Sequence, residues 1–400
     1  MKKKKSSQSK SGSSKSKKES SKSEKSENSM KIKFAVIGLG HIAQAAVLPA
    51  FKNAKNAELT MLISGDNEKL DQLAKTYNIS EENLFTYKDY PYCLENSDVD
   101  VVYVALPNHL HTKACIEALE MGCHVLCEKP LALSVDDCRR IQDLAEEKSL
   151  KFMTAYRLHF EKSNLEAIDI ACNKETLGDL RLFNSTFTMQ VKDDENIRLN
   201  PTDLGGGPLW DIGIYCINAA RGLFRSEPTE VFAMAANNGE DRFSEIDETI
   251  SVIMRFPNQR LASFTCSFGA DDCSSFELVG TEGRLRLEKA YEYATERILT
   301  VYKEDKVKKE KTFKKADQFG PEISYFSDCI LQNKDPEPSF EEGIADIRVI
   351  RGILKSLDEG RPIRFKSKDF NLQYPQPDLA MEYPPIDKPE TVNVTSPTGD

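Results

Sequence analysis

The residues best suited to chemistry follow a run of three glycines at positions 205–207. Glycine has no Cβ, so the backbone there is able to pass close to a ligand. A helical pattern after the run puts Asp211 and Tyr215 four residues apart on one face. A phenol works as an acid or base near neutral pH only if a positive charge lowers its pKa from about 10, and a neighbouring carboxylate does the opposite. The pattern therefore predicts that another part of the chain supplies a cation.

Lys129 is the candidate cation. It follows an apolar, strand-like run at 124–127 and precedes Pro130, and proline restricts the conformation of the residue before it. The direction of the lysine side chain is thereby limited. Taken alone, this loop fits equally well a lysine that extends its charge from a strand end into solvent.

A glycine turn near the start of the chain predicts a dinucleotide site. The β-rich run 32–37 leads into Gly38, Gly40 and Ala43, and a helical segment continues to about residue 51. Here the first glycine permits the tight turn, the second lets backbone approach a pyrophosphate, and the alanine lets helix pack on strand. The helix N-terminus would supply N–H groups to the phosphates. A tight turn without a ligand is the alternative interpretation of the motif alone.

The end of the second predicted strand, 59–63, bears on the choice of nucleotide. Ser64 and Lys69 favour the 2′-phosphate of NADP. Asp66 leaves NAD open, because a carboxylate accepts hydrogen bonds from the ribose hydroxyls.

Alternating strands and helices over residues 31–150 predict a Rossmann domain, a parallel sheet with helices on both faces. Ligands bind such sheets beyond the carboxyl ends of the strands. The further predicted elements are strands at 99–105 and 124–127 and helices at about 68–77, 112–121 and 135–148.

Residues 151–365 predict a second, α/β domain with an open and mostly antiparallel sheet, because strand runs follow one another without helices between them. An uncovered sheet face predicts self-association as a homodimer or homotetramer. Helices at about 320–332 and 341–357 would return over the first domain, and a Pro-rich tail occupies 366–400. The predicted strands are 180–189, 230–237, 249–256, 260–268, 275–279, 284–287 and 298–303.

Charge and composition exclude several classes of protein. The net charge of -10 divides into +7 for residues 1–30 and -17 for residues 31–400, and so acidic a body is a poor binder of nucleic acid. No apolar run approaches the roughly 20 residues of a membrane span. Residues 1–30, almost wholly Lys, Ser, Glu, Asn and Gln, predict a disordered tail. A basic tether for an acidic partner and a translation start at Met30 are the alternatives.

The cysteines and histidines give no sign of a disulfide scaffold or a metal site. The 10 cysteines contain no C-x-x-C pair and lie mostly in apolar runs, which favours buried thiols in a reducing compartment and hence a cytoplasmic protein. The close histidine pair, His109 and His111, has no cysteine or acid at ligand spacing, so we predict no metal.

Four motifs, in order along the chain, resemble one oxidoreductase family. They are GLGHIA at 38–43, ALPNHLH at 105–111, CEKP at 127–130 and GGGPLWDIGIY at 205–215. The chain is similar here to the family named for glucose-fructose oxidoreductase, inositol dehydrogenase and a rhizopine-catabolism protein (Gfo/Idh/MocA), and most to its glucose-fructose oxidoreductase branch. The similarity runs from about residue 32 to 365. It implies a Rossmann domain followed by an α/β domain whose open sheet forms the oligomer interface.

The resemblance also implies roles for individual residues. Lys129, before a typically cis bond to Pro130, matches a catalytic position, as do Asp211 and Tyr215, and Tyr215 stands where much of the family has His. On the substrate side would lie Tyr156, Arg198 and Trp210. The cofactor would contact Gly38, Gly40, His41, Ile42, Ser64, Lys69, Leu106, Pro107, Asn108, His111, Glu128, Lys129 and Arg157.

The implied activity is an NADP-dependent oxidation or reduction of a sugar or related polyol. Tyr215 would exchange the proton of a C1 hydroxyl or ketone, Lys129 would stabilise the phenolate, and Asp211 would orient the sugar or the lysine. The alternatives are a xylose- or trans-dihydrodiol-type dehydrogenase with freely exchanging NAD(P), and a non-catalytic NAD(P)-binding sensor, against which these three residues argue. The chain lacks the proline-bearing arm and export signal of glucose-fructose oxidoreductase, so neither cofactor retention nor export is implied.

Overall fold

The computed structural model describes residues 30–366, 374–387 and 389–398, so the predicted N-terminal tail, apart from Met30, lies outside the described residues. From Lys31 onward the chain forms one compact unit built around two sheets. Among the described residues, no helix is both long enough and apolar enough to cross a lipid bilayer.

The first sheet has six parallel strands in the order β3-β2-β1-β4-β5-β6. All four residues of its central strand β4 are buried, because helices cover both faces of the sheet. The strands are β1 Ile32–Ile37, β2 Ala57–Ile63, β3 Leu84–Phe85, β4 Val101–Val104, β5 His124–Glu128 and β6 Phe152–Ala155. Its helices are α1 Leu48–Ala50, α2 Asn67–Tyr77, α3 Tyr92–Glu95, α4 His111–Glu120 and α5 Val135–Glu147, and a π-helical turn at Ala43–Val47 precedes α1.

The sequence predicts four of these strands and misses β3 and β6. Strand β3 has only two residues, and β6 is a four-residue apolar run that lies beyond residue 150. Apolar runs as short as these do not distinguish a buried strand from part of a helix. Pairing with β5 is what makes residues 152–155 the last strand of the parallel sheet.

The second sheet has nine strands in the order β14-β13-β12-β11-β7-β10-β9-β8-β15. Only the β7–β10 pair is parallel among the described strands of this sheet. The predicted fold class, a Rossmann domain plus a domain with a mostly antiparallel sheet, is therefore confirmed. The strands are β7 Leu180–Thr188, β8 Glu230–Ala236, β9 Thr249–Phe256, β10 Arg260–Ser267, β11 Cys273–Gly280, β12 Arg284–Glu288, β13 Arg297–Lys303, β14 Lys306–Phe313 and β15 Ile363–Arg364.

One face of the second sheet is open, as predicted. Buried and exposed residues alternate along β9, and its Ile253 is exposed beside Phe232 of β8. Leu261 and Leu182, paired across β10 and β7, lie on the same face. Strand β14 was missed because lysines obscure its alternation, and lysines are typical of edge strands.

Helices of the second half of the chain connect the two sheets. The aromatic side chains of α9 pack in one core with Phe34 of β1. Helix α10 contacts both α5 and β8, and so joins the two sheets. These helices are α6 Lys162–Cys172, α7 Lys174–Leu177, α8 Ile214–Phe224, α9 Phe319–Leu331 and α10 Phe340–Glu359, with a π-helical turn at Leu209–Gly213 before α8.

Candidate active site

The glycine turn after β1 has the shape that a dinucleotide requires. Gly38 has φ of +95°, and a Cβ at this position would lie 2.5 Å from the carbonyl oxygen of Ala105. At Gly40 no atom of the described residues comes within 4 Å of where a Cβ would stand. His41 and Ile42 begin the helical segment directly after it. Backbone at Gly40 therefore borders open space at a helix N-terminus, which fits a pyrophosphate.

The end of β2 fits the ribose and its phosphate. Ser64 is buried, and Lys69 lies one helical turn into α2. Asp66 caps α2 by accepting a hydrogen bond from the backbone N–H of Lys69 at 3.1 Å, and its carboxylate lies 3.9 Å from the Lys69 Nζ. That backbone hydrogen bond is the main reason why the pKa of Asp66 is lowered. Asp66 is thus occupied as a helix cap, while Ser64 and Lys69 remain the donors suited to a 2′-phosphate.

A carboxylate held by two cations lies where the two sheets meet. Lys129, at the carboxyl end of β5, donates to Asp211 Oδ1 at 3.0 Å and to the Asp211 carbonyl oxygen at 2.8 Å. Arg198 Nε donates to Asp211 Oδ2 at 2.6 Å. The peptide bond from Lys129 to Pro130 is cis, as the resemblance implied.

The carboxylate and the cations of this cluster each stabilise the charged form of the other. Burial would raise the pKa of Asp211, but Arg198 and Lys129 more than offset that effect, and the pKa lies well below its ordinary value. Burial would likewise lower the pKa of Lys129, and the Asp211 carboxylate more than offsets it, so that this pKa is raised. Asp211 is therefore a carboxylate, and Lys129 an ammonium, throughout the neutral range.

The phenol of Tyr215 meets a different cation from the one that the sequence suggests. Arg157, buried after β6, donates to the Tyr215 hydroxyl at 3.2 Å. The Lys129 Nζ lies 5.0 Å from the centre of the Tyr215 ring and directs its hydrogen bonds to Asp211. Arg157 is fixed by donating to the Tyr291 carbonyl oxygen at 2.5 Å and to Gln318. No sequence motif pairs Arg157 with Tyr215, because the contact arises only when α8 packs beside the end of β6.

The loop after β4 connects the glycine run at 205–207 with the loop around Pro130. Asn108 Nδ2 donates to the Gly205 carbonyl oxygen at 2.7 Å, which fastens the glycine run to the first domain. The two ring nitrogens of His111 each lie 2.8 Å from a carbonyl oxygen, one of Pro130 and one of Leu106. Burial lowers the pKa of His111. In this structure Asn108 and His111 position loops, and their predicted contacts with a cofactor, like those of Leu106 and Pro107, stay predictions.

Three further predicted site residues lie in the protein interior. Glu128 is buried and accepts a hydrogen bond from Tyr103 at 2.9 Å, and burial raises its pKa. Tyr156 is buried and stacks on His159. Trp210 is 1% exposed and donates to the Thr202 carbonyl oxygen at 3.2 Å. Substrate contact by Tyr156 or Trp210 therefore stays a prediction.

The histidines and cysteines form no evident metal site. In the described ranges, no three His, Cys, Asp or Glu side chains come together as metal ligands would. The ten cysteines are free thiols, and eight of them are buried.

Comparison with known proteins identifies the family. Residues 32–156 match the oxidoreductase family with an NAD-binding Rossmann fold, and residues 168–286 match the GFO/IDH/MocA C-terminal domain. The chain belongs to the Gfo/Idh/MocA oxidoreductase family. The resemblance drawn from the four motifs is thereby confirmed, and the chain is an NAD(P)-dependent oxidoreductase.

Similar proteins of known name include enzymes that act on sugars. The D-xylose 1-dehydrogenase [NADP(+)] of Haloarcula marismortui is 29% identical over 83% of this chain and 93% of its own length. The crystal structure of aldose-aldose oxidoreductase from Caulobacter crescentus, complexed with glycerol, matches with TM-score 0.78 and 31% identity over 84% of this chain and 100% of that one. The crystal structure of KijD10, a 3-ketoreductase from Actinomadura kijaniata in complex with NADP and TDP-benzene, matches with TM-score 0.74 and 25% identity. The match covers 82% of this chain and 98% of that one.

Proposed function

We propose that this member of the family is an NADP-dependent sugar oxidoreductase in which Tyr215 moves the proton. The observation that carries the proposal is the hydrogen bond of Arg157 to the Tyr215 hydroxyl, beside the Lys129–Asp211 ion pair. The relatives that act on xylose and on aldoses support a sugar or polyol as substrate.

NADP is the cofactor that the residues fit best. The open space at Gly40 accommodates the pyrophosphate, and Ser64 and Lys69 bind the 2′-phosphate. The xylose dehydrogenase and the 3-ketoreductase are both linked to NADP by name. When bound, the nicotinamide supplies the hydride acceptor in oxidation and the hydride donor in reduction.

Each of the chain's own residues then has a defined task. In oxidation, Tyr215 as phenolate takes the proton of the sugar C1 hydroxyl while C1 loses its hydride; in reduction, the phenol returns that proton to the carbonyl oxygen. The Arg157 guanidinium stabilises the phenolate through the hydrogen bond to its oxygen. Lys129 adds positive charge beside the ring, and Asp211 holds the ammonium group in place. A positioned acid/base group of this kind contributes about 10² to 10⁴ in rate.

Substitution of the phenol tests the mechanism. We expect Tyr215→Phe to lower kcat by about 10² to 10⁴, while NADPH still binds, as followed by its fluorescence. Tyr291→Phe is a matched control, since its ring lies 6.0 Å from that of Tyr215 and its hydroxyl contacts Ser185. Equal turnover by Tyr215→Phe and the native enzyme would remove Tyr215 from the mechanism.

The open face of the second sheet supports a homo-oligomer. The exposed apolar residues Met234 of β8 and Ile253 of β9 lie in a shallow depression of about 490 Å³ on that face, and Leu182 of β7 and Leu261 of β10 are also exposed. A monomeric protein rarely leaves such a surface in contact with water. We infer a homodimer or homotetramer that uses this face, and sedimentation of the native protein at several concentrations tests it.

A further inference from the structure

The C-terminal segment of the chain reaches the glycine turn. The backbone N–H of Val392 donates to Gln44 Oε1 at 2.7 Å, and Gln44 Nε2 donates to the Val392 carbonyl oxygen at 3.0 Å. Gln44 is buried, one residue after Ala43, and also donates to the Leu39 carbonyl oxygen at 2.8 Å. The same side chain therefore braces the glycine turn and fastens the C-terminal segment to it.

The next residue turns the segment toward the end of β2. Asn393 has φ of +49°, a left-handed conformation that asparagine tolerates better than most residues. Its Nδ2 donates to Asp66 Oδ2 at 3.2 Å and to Glu68 Oε2 at 3.0 Å. These are the two acidic residues that lie between Ser64 and Lys69 in the sequence. By binding both of them, the Asn393 amide reduces their repulsion of a phosphate bound nearby.

A few residues later the segment contacts the second domain. Thr395 Oγ1 donates to Asp193 Oδ2 at 2.7 Å, and the Pro397 carbonyl oxygen accepts from the backbone N–H of Lys192 at 3.1 Å. Lys192 and Asp193 lie in the loop that follows β7. Between Val392 and Pro397 the chain thus passes from the pyrophosphate side of the first domain, over the end of β2, to the second domain.

Hydrogen bonds continue from this contact to the catalytic cluster. Asp193 and Arg198 both contact the side chain of Asn196, at 3.5 Å and 3.4 Å respectively. Arg198 in turn donates to Asp211. The loop that holds the C-terminal segment is therefore the loop that positions one of the two cations of the active site.

We propose that residues 389–398 form the outer wall of the nucleotide site and retain NADP(H) between successive sugar substrates. The wall has this role only if the proposed function is right. Oxidation of one sugar at C1 releases a hydride and a proton, and reduction of a second carbonyl consumes both, so a retained nucleotide needs no exchange between the two.

The rate of NADPH release from the full-length enzyme tests the wall. The double variant Asn393→Gly/Thr395→Val keeps the left-handed backbone but removes the side-chain contacts to both domains. We expect NADPH fluorescence, followed after mixing with excess NADP, to show release at least tenfold faster than in the native enzyme. The control is Glu382→Gln, which breaks an exposed ion pair with Lys162 earlier in the same segment and should leave the rate unchanged.

The other outcomes separate the two proposals. Equal release rates in the native enzyme and the double variant, with NADPH bound by both, would overturn the wall and leave the proposed function intact. Tighter binding by the double variant would show that the segment competes with the nucleotide, and would overturn the wall as well. A native enzyme that binds no NADPH would overturn both proposals.

Discussion

Two charge clusters lie along one helical stretch, which consists of the π-helical turn at Leu209–Gly213 and α8. One cluster has more cations than carboxylates, and the other has more carboxylates than cations. Near its start, Asp211 is a single carboxylate between two cations, Lys129 and Arg198. Near its end, Arg221 is a single cation among three carboxylates: its guanidinium donates to Glu227, Glu342 and Asp346 at 2.5 to 3.1 Å. The first cluster, called the cleft cluster below, is partly exposed, with its side chains 11 to 22% exposed. The second, called the sealed cluster, is closed to solvent at its centre, since Arg221 is 0% exposed.

The difference in balance sets the direction of each pKa. The pKa of Asp211 falls because two cations outweigh its burial. Arg221 is one cation shared by three carboxylates. Burial and the repulsion between these carboxylates therefore raise the pKa of Glu342 and bring that of Asp346 to about 6. The cleft cluster therefore keeps a fixed charge for chemistry, whereas the sealed cluster holds α8 against α10 and binds protons near physiological pH.

The largest effect should come from removing the cation of the sealed cluster. Arg221→Met leaves two buried acidic groups, Glu342 and Asp346, without a counter-charge, and breaking a buried ion pair in this way costs about 3–5 kcal/mol. We expect the free energy of unfolding in urea to fall by that amount. As a control, Arg255→Met removes an exposed partner of Glu230, where a change of at most about 1 kcal/mol is normal. Similar small losses in both variants would mean that the Arg221 cluster is not a structural support.

Removal of one cation from the cleft cluster should affect activity rather than folding. Arg198→Met leaves Asp211 paired with Lys129, so its charge stays compensated. We expect kcat/KM for the sugar to fall by about 10- to 100-fold, which is the rate equivalent of a charge-assisted hydrogen bond of about 1.5–3 kcal/mol that acts in the transition state. The unfolding midpoint should fall only slightly, because a partly exposed ion pair adds at most about 1 kcal/mol to stability. Steady-state kinetics and urea unfolding of the same variant check both parts. A large loss of stability with normal kinetics would reverse the roles given to the two clusters.

The two clusters also differ in how far the sequence could predict them. Lys129 before Pro130 and Asp211 after the glycines stand in short motifs that resemble a family, so their pairing could be expected. The resemblance places Arg157 at the cofactor, not at Tyr215, and gives Arg221 no role. The contacts of these two arginines, with Tyr215 in one case and with Glu342 and Asp346 in the other, arise only when the chain folds.

The same limit applies to the fold. The sequence predicts the strands whose apolar residues alternate or run together, such as β1 and β9. It does not predict β14, whose lysines face solvent at the sheet edge. The sequence does not predict the path of residues 389–398 past the glycine turn and the end of β2 either, because isolated hydrogen bonds to Gln44, Asp66 and Asp193 leave no periodic pattern.

The smallest expected effect is a dependence of stability on pH that belongs to the sealed cluster. The folded-state pKa of Asp346, about 6, lies above its ordinary 3.8, so between these values the folded protein holds a proton that the unfolded chain has released. The stability contributed by that proton is complete below about pH 3.8 and is lost as the pH rises through 6.

Other groups also titrate in this window, so the measurement is a difference between two proteins. Buried His159, 4.0 Å from Glu342, has its pKa lowered to about 4 and gives the opposite slope. We therefore expect the free energy of urea unfolding of the native enzyme minus that of Asp346→Asn to decline between about pH 4 and pH 6 and to level off above that range, since only the native enzyme must ionise Asp346. The matched variant Asp211→Asn should show no such decline, because the pKa of Asp211 lies far below this range. A flat difference for Asp346→Asn would mean that Arg221 compensates all three acids, and that the two clusters are balanced alike.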